Sequence, residues 1–230
     1  MTESSVWYAI PSARPDGGTL KLWHQRGYKL AVQRDSGAST LPLAEDTLQF
    51  FRDYKGYAES VNHLCSQILK YHPKTKVIVT GGDDVLPDPN HSPETIQQLF
   101  TMHFPDLYGI LQPTADHWMV DGSGRSASER VAYSPWMGRT WCLEANQGHG
   151  PLWPEYFHHF VDEDLQESAF KQGMFAQDKR ITQYHHHWQR KGGSRPPHLR
   201  TIDRPENWKA AKALFESRKE AGFPGSERKR

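Results

Sequence analysis

Short β-branched runs alternate with amphipathic stretches over the first third of the chain, and that alternation predicts the fold. Residues 6–10, Val-Trp-Tyr-Ala-Ile, read as an apolar strand ended by Pro11 and the polar loop Ser12-Ala13-Arg14-Pro15. Residues 18–25 read as a helix start with Leu20, Leu22 and Trp23, and residues 28–32 as a second strand with Asp35 just past its end. Residues 44–53 and 57–71 are expected to be helical. In the second of these, Val61, Leu64, Cys65, Ile68 and Leu69 recur at i, i+3, i+4, i+7 and i+8. Val77-Ile78-Val79 then reads as a buried strand stopped by Gly81-Gly82. Strand, helix, strand, helix, strand predicts an α/β chain: a mostly parallel, nucleotide-binding type of sheet with right-handed crossovers, flanked by helices.

The pattern becomes irregular and aromatic beyond residue 94. A helix is expected over 95–103, a strand over 108–112, a mobile polar loop over 121–130, and a helix over 156–172 that carries Asp162, Glu163 and Asp164. Residues 191–197 (KGGSRPP) have the composition of a linker. Asp203 is placed to cap a last helix, with Pro205 near its start and Trp208, Ala211, Leu214 and Phe215 on one face. The expected division is one domain over residues 1–190 and a basic linker with a C-terminal helix over 191–230.

Composition narrows the class. The 230 residues can bury a proper core, and 36% hydrophobic with 12% aromatic residues, eight of them Trp, is too apolar for a disordered chain. No apolar run approaches the roughly 20 residues that span a bilayer. The first residues lack a basic region followed by an apolar core, so no signal peptide is expected. Cys65 and Cys142 stand in unrelated contexts, which reads as a reduced, cytoplasmic protein. The net charge of +1 conceals an asymmetry. Residues 189–230 hold twelve Lys and Arg against five Asp and Glu, a local +7 that leaves −6 for the rest.

The candidate chemistry begins at Asp83-Asp84, delivered to the carboxyl end of the third strand, where open α/β sheets bind ligands. Two adjacent carboxylates repel unless a cation compensates them, and hard ions such as Mg²⁺ or Mn²⁺ prefer carboxylate oxygens and bridge them to phosphates. An acidic turn with solvated side chains is the alternative.

The order of motifs from residue 6 to 188 resembles that of GT-A fold glycosyltransferases, closest in style to the large family-2 type. Ile10-Pro11-Ser12-Ala13-Arg14 is similar to that family's first loop, Asp35 to the acid after its second strand, and Asn62 to the Asn on the helix that follows. Gly82-Asp83-Asp84 with Pro87 stands where the family has Asp-X-Asp or Asp-Asp-Asp, one acid short of the longest version. The resemblance implies a GT-A-like domain that moves a sugar from a nucleotide-diphosphate sugar, a UDP-sugar foremost, to an acceptor hydroxyl. It implies Asp84 on Mn²⁺ or Mg²⁺ and Asp83 on the ribose or sharing the ion. Pro11, Ser12, Arg14, Asp35 and Asn62 would line the nucleotide pocket. Asp162-Glu163-Asp164-Leu165 resembles the motif that supplies the base in inverting members, which makes Asp164 the first candidate and Glu163 the second. Of His185, His186 and His187, alternation on an extended segment puts His185 and His187 on one face, where they could complete the metal shell.

For the acceptor, residues 133–141, with Trp136, Arg139 and Trp141, join Trp118 and Tyr156 in supplying flat faces that stack on sugars or bases. The basic tail raises DNA as a partner, with a flipped-out hydroxymethylated base as acceptor, as in some viral enzymes. A glycan or lipid-linked acceptor competes. So do a sugar-phosphate nucleotidyltransferase, a non-catalytic nucleotide-sugar-binding module and a metal-dependent hydrolase.

Overall fold

Three strands buried on both faces, β1 (Val6–Pro11), β2 (Lys29–Arg34) and β4 (Val77–Val79), organise the molecule. In β1, Trp7 and Ala9 face one core while Val6, Tyr8 and Ile10 face the other, so the strand reads as a continuous apolar run. The computed structural model describes residues 5–190, 192–197 and 199–229. After β1 come α1 (Leu20–Gln25), β2 (Lys29–Arg34), β3 (Leu48–Phe51), α2 (Tyr57–Tyr71), β4 (Val77–Val79) and β5 (Val85–Leu86). The second half adds α3 (Pro93–His103), β6 (Ile110–Pro113), α4 (Ala127–Arg130), β7 (Trp136–Gly138), α5 (Arg139–Glu144) and α6 (Val161–Lys171). The last elements are β8 (Phe175–Asp178), β9 (Tyr184–His185), α7 (Leu199–Ile202) and α8 (Pro205–Glu220).

Seven strands form one sheet in the order β3-β2-β1-β4-β7-β6-β8, in which β7 runs antiparallel to its neighbours β4 and β6. The pairs β1–β2, β1–β4, β2–β3 and β6–β8 are parallel. Residues of α2, α5, α6 and α8 pack on the Trp7 face, and those of α1 and α3 on the Tyr8 face. The fold is therefore α/β with a mostly parallel central sheet, as the alternation predicts. Among the described residues no helix is long and apolar enough to cross a membrane.

Four expectations change. Residues 44–53 do not form a helix: Leu48 to Phe51 pair in parallel with Ala31 to Arg34 as an edge strand, and Gln49 staples itself to the Leu41 backbone. The helix expected from residue 156 begins at Val161, after Phe160 turns left-handed at φ 62°. The polar loop over 121–130 ends in α4, started by a capping box between Ser126 and Glu129. The last helix is entered through Arg204, not Asp203, whose carboxylate pairs with His159 and Arg195 instead. Of the expected linker, Lys191 lies outside the described residues.

The basic tail is held by the body. Arg218 of α8 reaches Asp164 of α6, Lys219 reaches Glu167, and Arg228 reaches both Asp106 and Glu144. The opposite charges read from the sequence thus meet within the chain.

Candidate functional site

The carboxyl ends of β1, β2 and β4 open into a cleft of about 490 Å³, walled on the far side by the start of α6 and by Pro196, Leu199, Thr201 and Ile202. Parallel strands ending together leave such a crevice. Pro11, Ser12, Arg14, Asp35, Asp83, Asp84, His185 and His187 all line it, so the structure brings together most of the nucleotide and metal residues proposed from sequence.

The two motif acids have different partners. Asp83 is tied to the β1 loop: the Ser12 hydroxyl donates to Oδ2 at 2.6 Å and Arg14 Nε to Oδ1 at 2.7 Å. Its carbonyl accepts from Thr19 N at 3.0 Å, and Gly18, at φ +56°, passes so close that a Cβ would lie 2.1 Å from that oxygen. Each oxygen of Asp83 thus accepts one hydrogen bond from the β1 loop, whereas Asp84 has no such tie to that loop.

Asp84 faces a histidine. Its Oδ1 lies 3.3 Å from His185 Nε2. The antiparallel ribbon of β5 and β9 sets this meeting by pairing Val85 with His185, and His186 N donates to the Asp84 carbonyl at 2.7 Å. Burial pushes the Asp84 carboxyl up, but the hydrogen bond from His185 and the charges of His185, Arg14 and His187 outweigh it and leave the group below its usual value. His187 is held down by burial and by its neighbour His185.

A second layer supports the pair. Tyr133 stacks on His185 with ring centroids 5.0 Å apart, and Trp118 packs against both His185 and His187. Asp116, buried, accepts from His185 N at 3.1 Å and binds Arg190 Nη1 at 2.8 Å. Nothing in the sequence singled out Asp116, because its role depends on partners some seventy residues away.

Among the described residues no group of three or more His, Cys, Asp or Glu is arranged to hold a metal ion. The Asp84–His185 pair is compatible with one. Two donors about 2.1 Å from the same ion, at right angles, lie about 3 Å apart, near the observed separation. A carboxylate oxygen and an imidazole nitrogen also suit Mn²⁺.

The acidic helix offers a different carboxylate from the one the motif suggested. Asp164 points away from the cleft into α8: it accepts from Arg218 Nε at 2.7 Å and from the Tyr156 hydroxyl at 3.0 Å. Burial raises its carboxyl, with Arg218 and Tyr156 opposing. Glu163 is half-buried and does not line the cleft; burial raises it too. Asp162 does line the cleft, beside Val161 and His158, and burial, reinforced by Glu163, pushes its carboxyl well above the ordinary value. Two residues along a helix rotate the side chain by roughly 200°, which separates Asp162 from Asp164.

The remaining candidates leave the site. Asn62 on α2 binds the backbone of Leu152 on both sides, its Nδ2 donating to the carbonyl at 2.8 Å and its Oδ1 accepting from the amide at 3.0 Å. Trp136 and Trp141 are core residues, and Tyr156 is buried over Asp164. The Arg139 amide bonds Lys76 O at the amino end of β4, the end of the strand away from the cleft. Of the acceptor residues proposed from sequence, Trp118 alone stands beside the histidines. In place of the others, Tyr54, Tyr57, Phe157 and His158 line the α2 side of the cleft, where Gln33 donates to Ser60 Oγ at 2.8 Å.

Comparison with protein-family models and with curated proteins finds no match to this chain.

Proposed function

We propose that this protein is a metal-dependent glycosyltransferase that takes a nucleotide-diphosphate sugar and passes the sugar to an acceptor hydroxyl. The observation that carries the reading is the Asp84–His185 pair at the carboxyl end of β4, in one cleft with the carboxylate of Asp162.

Asp84 and His185 would hold Mn²⁺ or Mg²⁺, with His187 beside them, and the bound ion would neutralise charge developing on the leaving diphosphate. Asp83 holds Arg14 and Ser12 in place at the cleft wall, a positioning role that leaves Asp84 to the ligand. Asp162 takes the role that the sequence assigned to Asp164. As a carboxylate with a raised pKa in a sheltered site, it can accept the acceptor hydroxyl's proton as that oxygen attacks the anomeric carbon. Direct displacement of this kind inverts the anomeric centre. The aromatic side chains of Tyr54, Tyr57 and Phe157 offer faces for a sugar ring or a base.

A DNA-base acceptor draws less support from the tail than its charge suggests, since Arg218, Lys219 and Arg228 are bound to acids of the body. The acceptor class therefore stays a hydroxyl compound that fits the cleft.

The test is thermal stability of the full chain against nucleoside diphosphates and their sugars, with and without Mn²⁺. A ligand that binds the native state alone raises the melting temperature by mass action. A Mn²⁺-dependent rise with one nucleotide supports the reading, and no rise with any of them overturns it.

A further inference from the structure

β2 ends on a buried guanidinium that pairs with no acid among the described residues. Arg34 is 5% exposed and lines the cleft. Among the described residues it forms no ion pair, and its Nε is buried without a hydrogen-bond partner. Nη1 donates to the carbonyl oxygen of Arg14 at 2.5 Å, which satisfies one of the five donors of the fork. The other arginine of the cleft is already compensated, since Arg14 binds Asp83 at 2.7 Å. Asp35, the next residue, accepts from Tyr54 N at 3.2 Å instead of pairing with Arg34.

A buried charge with neither counter-ion nor full hydrogen bonding is unfavourable by itself. A chain that keeps one at the wall of an open cleft has a place for an anion from outside. We propose that Arg34 is a receptor for a phosphate group of the ligand. The planar fork of arginine presents paired N–H donors that match phosphate oxygens bidentately, and these bonds strengthen where water is excluded. The proposal rests on the nucleotide-donor reading for the source of the phosphate, which is then the donor's diphosphate and not a free phosphate ion.

The experiment compares the full chain with Arg34→Met and Arg34→Lys by thermal stability, using inorganic pyrophosphate, uridine diphosphate and uridine as probes. Methionine keeps the apolar stem and removes the charge. Arg34→Met is expected to melt no lower than the parent without ligand. It should bind pyrophosphate and uridine diphosphate about ten- to a hundredfold more weakly, the loss expected for a charge-assisted pair. Arg34→Lys should recover part of this, and any response to uridine should not change. If pyrophosphate and uridine diphosphate stabilise Arg34→Met as much as the parent, the proposal is overturned, whatever that variant's own melting temperature. A loss confined to uridine also overturns it, because Arg34 would then meet the base. The two readings fail separately. A parent that responds to pyrophosphate but to no nucleoside diphosphate keeps the phosphate site and loses the donor, whereas equal nucleotide responses in parent and Arg34→Met keep the donor and lose the site.

Discussion

Arg218 grips Asp164 with two nitrogens, Nε at 2.7 Å and Nη2 at 3.3 Å, in a contact from which both side chains exclude water. The same guanidinium lies 3.5 Å from the centre of the Trp153 ring and donates to Pro224 O and Ser226 Oγ, so one residue fastens the C-terminal segment to α6. Removing one member of a buried pair strands the other. Arg218→Ala and Asp164→Ala should each lower unfolding free energy by about 3–5 kcal/mol. The double variant Arg218→Met with Asp164→Leu should recover a large part of that loss. Chemical denaturation of the four proteins measures this, and a full-stability Arg218→Ala would remove the clasp from the account.

Asp162 and Asp164 should separate cleanly in kinetics. With Asp162 as the base, Asp162→Asn should retain donor binding and lose about 10²- to 10⁴-fold in kcat. Asp164→Asn should lose stability first, with kcat per folded molecule little changed. Equal turnover in Asp162→Asn and the parent would take the base role away from this residue.

Stability should also report the state of Asp162 as pH changes. Its folded pKa lies above the unfolded value, so its favourable contribution is complete below about pH 4 and is lost as pH rises through the folded value. Asn carries no such penalty. Asp162→Asn should therefore match the parent in acid and melt higher than the parent near neutrality. Melting curves from pH 3.5 to 8 give the comparison, and a variant less stable than the parent at neutral pH would contradict the sign.

Asp84→Asn should abolish the Mn²⁺-dependent part of the thermal response to nucleotide and leave the metal-free response in place. Asp83→Asn should behave differently, lowering stability without ligand because one of the two accepting oxygens becomes an amide nitrogen and Arg14 loses its counter-charge. Matching behaviour of the two variants would mean that the acids share one role.

Gly18→Ala tests the approach of the first loop to Asp83. The positive φ of +56° and a Cβ 2.1 Å from a backbone oxygen predict a loss of about 1–3 kcal/mol, together with weaker nucleotide binding as Asp83 is pushed aside. Gly37, with nothing within 4 Å of its Cβ position, is the control.

The central strands and α2 are readable from sequence because burial on both faces of a strand, or on one face of a helix, writes a period into the residues themselves. β3 is not, since Ala44-Glu45-Asp46 favour a helix and only the open edge of β2 makes Leu48 to Phe51 a strand. At the site, the Asp pair and the β1 loop are legible because strand ends collect ligands. The phase of α6 is not: the motif puts Asp164 first and Glu163 second, and only the structure shows that Arg218 claims Asp164 while Asp162 lines the cleft. Trp136, Trp141 and Tyr156 mislead for a related reason, because an aromatic side chain serves a core as well as a ligand.

The ribbon of β5 and β9 has a consequence for how the protein comes into being. It joins Asp84 to a histidine made roughly a hundred residues later, through two paired positions on each side. Closing so long a loop is slow and gains little until the intervening strands are in place. On the ribosome, the acidic turn emerges early and stays without its imidazole while most of the chain is still to come. The cleft therefore matures late, and a fragment ending before residue 184 would hold the acid of the site without the histidine that faces it.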